Sequence, residues 1–337
     1  MKKITKSKNF TLIIILLILV IIFTVWSKLV GKNFFAASTV KNVLQSIIVT
    51  SFLTIGAGCL LICGNLDLAM STIGCFGLHV IACACANKIP GPIAFVMMLV
   101  FCAIFGALDG VLVAYLRFPS FIATMGVSYV VKGFMYIYSR WWMGVAQNVN
   151  FKDKFIQWFG KTQFLGIPVG AFIMVVFFII YGILIKKTRF GMKMKLVGGN
   201  PRASELAGIN SKRLTLILFI NGSIMAGIAG MFFGARLGQG STTALGMNQF
   251  SGMTAAMIGG ITFGGGVGGM GGAFIGLLIL NTFQVGMNVV GVNPNWVSTF
   301  SGVLLLIALG LDFIKMNIAA VKARRAAKKA NKALMEG

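Results

Sequence analysis

Apolar runs long enough to cross a bilayer dominate this chain and leave it few ways to fold. About ten follow one another: Phe10 to Ser27, Val43 to Cys63, Leu68 to Ala86, Gly91 to Leu116, Ser120 to Ser139, Phe164 to Ile185, Leu214 to Phe233, Ala244 to Phe263, Ala273 to Val290 and Trp296 to Ile314. Most approach the roughly twenty residues that span about 30 Å of hydrocarbon as a helix. Composition points the same way. Of 337 residues, 58% are hydrophobic and 11% charged, whereas a soluble domain carries about 25% charged residues. The expected fold is an all-α polytopic membrane protein of about ten transmembrane helices. Residues 1–314 would form a single transmembrane domain and 315–337 a basic cytoplasmic tail.

The first run, preceded by "MKKITKSK", is too long for an ordinary signal-peptide core and lacks a small-x-small cleavage site, so it reads as a helix. Basic residues set the orientation, because they stay on the cytoplasmic side of helix ends. With the N-terminus inside and ten crossings, 20 of the 30 Lys and Arg fall in cytoplasmic segments: four before Phe10, Arg117, eight from Lys186 to Arg213, and seven from Lys315 onward. Both termini are then cytoplasmic. Trp26, Trp141, Trp142 and Trp296 fall at the opposite, outer helix ends, where amphipathic rings sit among headgroups. The eighth run, polar at Asn248 and Gln249, is the weakest span and short enough in its apolar part to be a re-entrant half-helix. That arrangement would put the basic tail outside, which the charge rule disfavours.

Several soluble-protein functions can be set aside. "GGITFGGGVGGMGG", residues 259–272, holds nine glycines, and Gly266, Gly268 and Gly271 spell G-x-G-x-x-G. No strand precedes it and no carboxylate follows at ribose-binding distance, so the dinucleotide fingerprint lacks its context. The net charge of +24, concentrated in stretches such as "VKARRAAKKANK", is better explained by topology and contact with anionic membrane lipid than by nucleic acid. Cys59, Cys63, Cys75, Cys83, Cys85 and Cys102 all lie within spans and read as small packing residues. With His79 the only histidine, neither a metal site nor a catalytic triad is indicated. No catalytic residue and no cofactor are expected.

Charge inside the spans is scarce, and an intramembrane ionisable residue is a functional hypothesis by default. Asp109 and Lys132 lie about seven and about twelve residues from the inner ends of the fourth and fifth spans, a depth difference of roughly 8 Å that a lysine can bridge. A structural ion pair is favoured over a proton relay. Asp67, in "GNLDLAMS", is placed to cap the N-terminus of the third span. In the longest cytoplasmic loop, Asn200 as N-cap, Pro201 in the first turn and Gly208 as a stop frame a one- to two-turn helix. It suits docking into a partner's groove, with an ordinary ordered loop as the alternative.

"VGGNPRASELAGIN" at 197–210, "RFPSFIATMGVSYVVKG" at 117–133, "GNLDLAMS" at 64–71 and "MIGGITFGGGVGGMGGAFIGLLIL" at 257–280 together resemble the permease subunits of ribose-type bacterial ABC sugar importers. The resemblance runs over most of the chain. It implies a type II importer-like permease of the bacterial inner membrane that works in pairs, as a homodimer or with a second permease. Its partners would be a separate cytoplasmic ABC ATPase and an extracellular solute-binding protein. It places the coupling segment at Gly198 to Asn210, with Gly198, Gly199, Asn200, Pro201, Glu205, Ala207, Gly208 and Asn210 at matching positions. The glycine run becomes a tight cytoplasmic connection between the eighth and ninth helices. The chain departs from the family pattern around Asp67, at Asp109, and at Val267 and Gly269, which touches the substrate rather than the class.

The reading is an importer subunit for a monosaccharide or similar small polyol, moving its solute by alternating access. A secondary, ion-coupled transporter and a membrane scaffold are the alternatives. A seam of small residues, Gly222, Ala226 and Gly230, marks one face of the seventh span for close helix packing. Asn281, Gln284 and Asn288, at i, i+3 and i+7, present uncharged amides on one face of the ninth span, suited either to sugar hydroxyls or to interhelical hydrogen bonding. Gln45, Ser46, Thr50 and Thr54 on the second span are the reserve candidates for the path. In the outer loop, Phe151, Phe155, Ile156 and Phe159 predict an amphipathic helix that either lies on the lipid surface or receives the binding protein.

Overall fold

A computed structural model describes residues 8–144, 148–310 and 313–314, so the basic tail from 315 lies outside the described residues. The helices are α1 Lys8–Leu29, α2 Ala37–Ile62, α3 Met70–Ala86, α4 Gly91–Ala114, α5 Ser120–Met143, α6 Lys154–Lys161 and α7 Val169–Lys187. They continue as α8 Arg189–Gly199, α9 Pro201–Leu206, α10 Ser211–Leu237, α11 Ser251–Ile258, α12 Met270–Val290 and α13 Pro294–Gly310. Seven of them, α1, α2, α4, α5, α7, α10 and α12, are long and apolar enough to cross a membrane, and α3 and α13 are shorter apolar helices.

The protein is organised around α2 and α10, which are the most enclosed of the long helices. They can be central because their contact faces carry almost no side chain. A Cβ on Gly56 would lie 3.1 Å from the Gly222 Cα, and one on Gly230 would run into the carbonyl oxygen of Gly74 on α3. Between membrane helices dispersion and close approach replace the hydrophobic effect, so small residues at the crossing bring whole backbones into contact. The seam at Gly222, Ala226 and Gly230 is thus the surface that α10 offers to α2 and α3. Around this centre pack α3, α4, α7, α11 and α12, while α1 is held chiefly by α12 through Phe23, Met287 and Val290.

Two elements differ from expectation. The eighth run is helical only over α11. Before it the chain is irregular: Gln239–Gly240 pairs with Val149–Asn150 in a two-residue antiparallel ladder, then turns lead into a short 3-10 segment at Gly246–Asn248. Gly240 sits beside Ala82 near the end of α3, Leu245 beside Gly74, Gly252 beside Leu53 in mid-α2, and Gly259 beside Gly272 at the start of α12. The segment therefore runs the depth of the bundle as half irregular chain and half helix. Glycine makes this possible, since Gly252, Gly259 and Gly276 give α11 backbone contact with its neighbours.

The amphipathic helix α6 turns part of its apolar face to protein. Asp153 caps α6 by accepting from the Ile156 N–H at 2.9 Å, and its second oxygen accepts from the Gly91 N–H at 3.2 Å, clamping α6 to the start of α4. Ile156 and Phe151 are buried, and Gly160 lies against the Ala235 backbone of α10. Phe155 and Trp158 stay exposed.

Candidate translocation path and coupling surface

The amide face of α12 separates into two environments. Asn281 is fully buried, and its carbonyl oxygen accepts from Ser46 Oγ at 2.9 Å and Thr50 Oγ1 at 3.4 Å, while its Nδ2 donates to Leu277 O. These bonds tie α12 to α2. Gln284 and Asn288, one and two turns further, line a cleft of about 400 Å3 whose other polar walls are Ser46 on α2, Asn248 before α11, Ser251 and Thr254 on α11, and Ser298 and Ser301 on α13. Gln284 Nε2 donates to Ser301 Oγ at 3.1 Å. The volume lies within the roughly 300–1,000 Å3 of small-molecule sites. Gln45 is half-buried, and Thr54 is buried and donates to Thr50 O.

Sequence spacing could place the three amides on one face, but not divide them. Asn281 is buried where α12 bonds to α2, whereas Asn288 is exposed in the cleft. The hydroxyls on α11 and α13 were not identifiable as a set, because their convergence depends on the broken eighth segment.

The structure does not join Asp109 to Lys132. Neither carboxylate oxygen of Asp109 has a hydrogen-bond partner among the described residues, and Lys132 is exposed. The cause is rotation, not depth. The flanking Gly106 and Gly110 press that part of α4 onto Ser223 and Leu216 of α10, so Asp109 is enclosed there. Lys132 instead borders a cleft between α3, α5 and the irregular segment. Asp67 does not occupy the cap of α3, whose N-cap is Ala69 without a side-chain cap bond; it accepts from the Ala69 N–H at 2.7 Å in the turn just before the helix.

On the face that carries the longest loop, the 200–210 segment forms a capped helix. Asn200 Oδ1 accepts from the Ala203 N–H at 3.0 Å, Pro201 occupies the first turn, and Gly208 follows α9 with φ +76°. Asn210 then caps α10 by accepting from the Arg213 N–H at 2.9 Å, and Glu205 Oε1 accepts from Ser211 Oγ at 2.7 Å. Ala207 is exposed and Leu206 almost wholly so. Gly198, just upstream, is buried against the end of α2: a Cβ there would overlap Ile62 O and lie 2.7 Å from the Gly266 N. The Gly266 N–H donates to Ile62 O at 2.8 Å. The glycine run is thus a backbone junction joining α2, the 198–210 segment and the loop before α12.

A family model described as branched-chain amino acid transport system / permease component matches residues 39–309. The chain belongs to this permease family. The fructose import permease protein FrcC of Rhizobium meliloti is 27% identical to the permease over 301 residues, 88% of this chain and 84% of that protein. The ribose import permease protein RbsC of Escherichia coli K12 is 28% identical over 304 residues, covering 90% and 92%. The galactose/methyl galactoside import permease protein MglC of the same strain is 28% identical over 331 residues, covering 92% and 95%. No solved structure matches. The permease is a multi-pass inner-membrane subunit of an ABC importer rather than a secondary transporter or an enzyme, with ATP hydrolysis on a separate subunit and a solute-binding protein as second partner.

Proposed function

We propose that this permease imports a monosaccharide or similar small polyol, contributing one half of a paired transmembrane pathway. The observation that carries the substrate class is its similarity, along nearly the whole of both chains, to import permeases for fructose, ribose and galactose. Ten passes fit this reading, with the irregular 239–250 segment and α11 forming the eighth and both termini cytoplasmic. Basic loops then contact anionic lipid. The 198–210 segment meets the ATPase through exposed α9 and Ala207, while the outer face near α6 receives the binding protein. The solute passes along the Gln284 and Asn288 cleft, where amides and hydroxyls can exchange hydrogen bonds with a sugar.

In the assembled complex reconstituted with ATPase and binding protein, Gln284→Leu and Asn288→Leu are expected to cut sugar uptake about tenfold, the loss of about 1.4 kcal/mol in a transition-state contact. ATPase stimulation by the binding protein should survive. Asn281→Leu should instead lower thermal stability, by about 0.6–2 kcal/mol for the bonds to α2. Wild-type uptake by both cleft variants would remove this face from the path.

A further inference from the structure

A second polar cleft lies across the irregular segment from the first, with a volume of about 370 Å3. Its walls are α3, α5 and residues 242–250. Thr72 on α3 and Ser128 on α5 share a hydrogen bond of 2.8 Å across its floor. Thr243 and Gln249 border it from the irregular segment, and both are exposed. Lys132 stands at its edge, one turn beyond Ser128.

Depth makes this cleft unusual. Lys132 is about twelve residues into α5, hence ~18 Å from the Ser120 end at 1.5 Å per residue. Leu245, on the adjoining irregular stretch, packs against Gly74 and donates its backbone N–H to Cys75 Sγ at 3.3 Å. An exposed ammonium at this depth is costly against hydrocarbon, and the irregular stretch beside it presents the exposed residues Thr243, Gly246 and Gln249 in place of an apolar helix face. Such backbone persists in a membrane only inside protein or along water.

We infer that the cleft between α3, α5 and residues 242–250 is a water-filled solute site on the translocation path, with the Lys132 ammonium as its selective donor. The inference rests on the import reading above. The Thr72, Ser128 and Thr243 hydroxyls and the Gln249 amide both donate and accept, which suits a polyol. Lys132 only donates, so it bonds a hydroxyl or anionic oxygen of the solute and repels a cationic one.

The test uses the complete complex with Cys75→Ser, since Cys75, though buried like the other five cysteines, borders the cleft, and serine keeps an acceptor for the Leu245 N–H. Thr243→Cys is exposed to membrane-impermeant thiosulfonate reagents, one anionic and one cationic. It should react about tenfold faster than Val176→Cys on the outer face of α7, because only hydrated thiols form thiolate readily. The anionic reagent should be favoured about fivefold, and Lys132→Met should abolish that preference. In proteoliposomes supplied with D-ribose, D-fructose or D-galactose, Lys132→Met should lower uptake about tenfold with ATP hydrolysis retained, and Lys132→Arg should largely restore it. Labelling of Thr243→Cys no faster than Val176→Cys overturns the proposal and identifies a seam covered by the second permease. Rapid labelling without a charge preference, or normal uptake by Lys132→Met, overturns the role of the ammonium. A wild-type complex that moves none of the three sugars contradicts the substrate reading, while the labelling pattern still decides the cleft.

Discussion

Gly198→Val is expected to give a permease that inserts and assembles but no longer couples ATP hydrolysis to uptake. Position 198 ends α8, immediately before the exposed helix α9, and its α-carbon rests on the last carbonyl of α2 and the Gly266 backbone. A valine cannot enter without pushing α8 away from backbone atoms that have no rotamer to yield, at a cost of about 1–3 kcal/mol or more. The displaced element is the one that carries α9, so sugar transport should fall at least roughly tenfold, since 1.4 kcal/mol of lost mechanical linkage is one factor of ten. Gly199→Ala is the internal control. Its Cβ would meet only the Gly266 Cα at 3.9 Å, an ordinary contact, and uptake should be near wild type. Equal uptake by Gly198→Val and Gly199→Ala, measured with ATPase activity in the same proteoliposomes, would show that the junction does not transmit motion.

Gly230→Leu should have a larger effect on the fold itself. Its Cβ would overlap Gly74 O and lie 3.4 Å from the Leu78 Cβ, so the central α10 and α3 would have to separate along the whole crossing. The expected result is a fall of roughly 5 °C or more in the melting temperature of the detergent-solubilised permease, or loss of the monodisperse species. Gly182→Leu on α7, where a Cβ meets nothing within 4 Å among the described residues, should leave both unchanged. Equal behaviour of the two variants would contradict the placement of the seam at the bundle's centre.

Apolar run length marked most of the helices correctly, because a membrane helix must satisfy its backbone internally and therefore shows as an uninterrupted run. That rule weakens where protein or water surrounds the chain, and residues 239–250 lie there: Leu245 is buried while Gly246 and Gln249 are exposed. The cap at Asn200 is legible because capping is local, whereas the cap that Asn210 gives α10 emerges only from the structure. Asp109 and Lys132 were misread because spacing gives depth along a helix but not which neighbour each face meets. The same gap hid the Lys132 cleft. Thr72, Ser128 and Thr243 are far apart in sequence and converge only once α3, α5 and the irregular segment are folded together. Asn281 stays ambiguous in the sequence, since one amide can serve a solute or a neighbouring helix, and its bonds to Ser46 and Thr50 become visible only once α2 and α12 are packed together.

The central claim, import of a sugar driven by ATP hydrolysis on a partner subunit, is tested most directly by counterpart uptake assays in proteoliposomes. The complex, reconstituted with the binding protein outside and either ATP or a non-hydrolysable analogue enclosed, is offered radiolabelled D-ribose, D-fructose and D-galactose with and without a proton and sodium ionophore. The account predicts accumulation of at least one sugar only with hydrolysable ATP and binding protein, unchanged by the ionophore. Accumulation by the permease alone that collapses with the ionophore would contradict it.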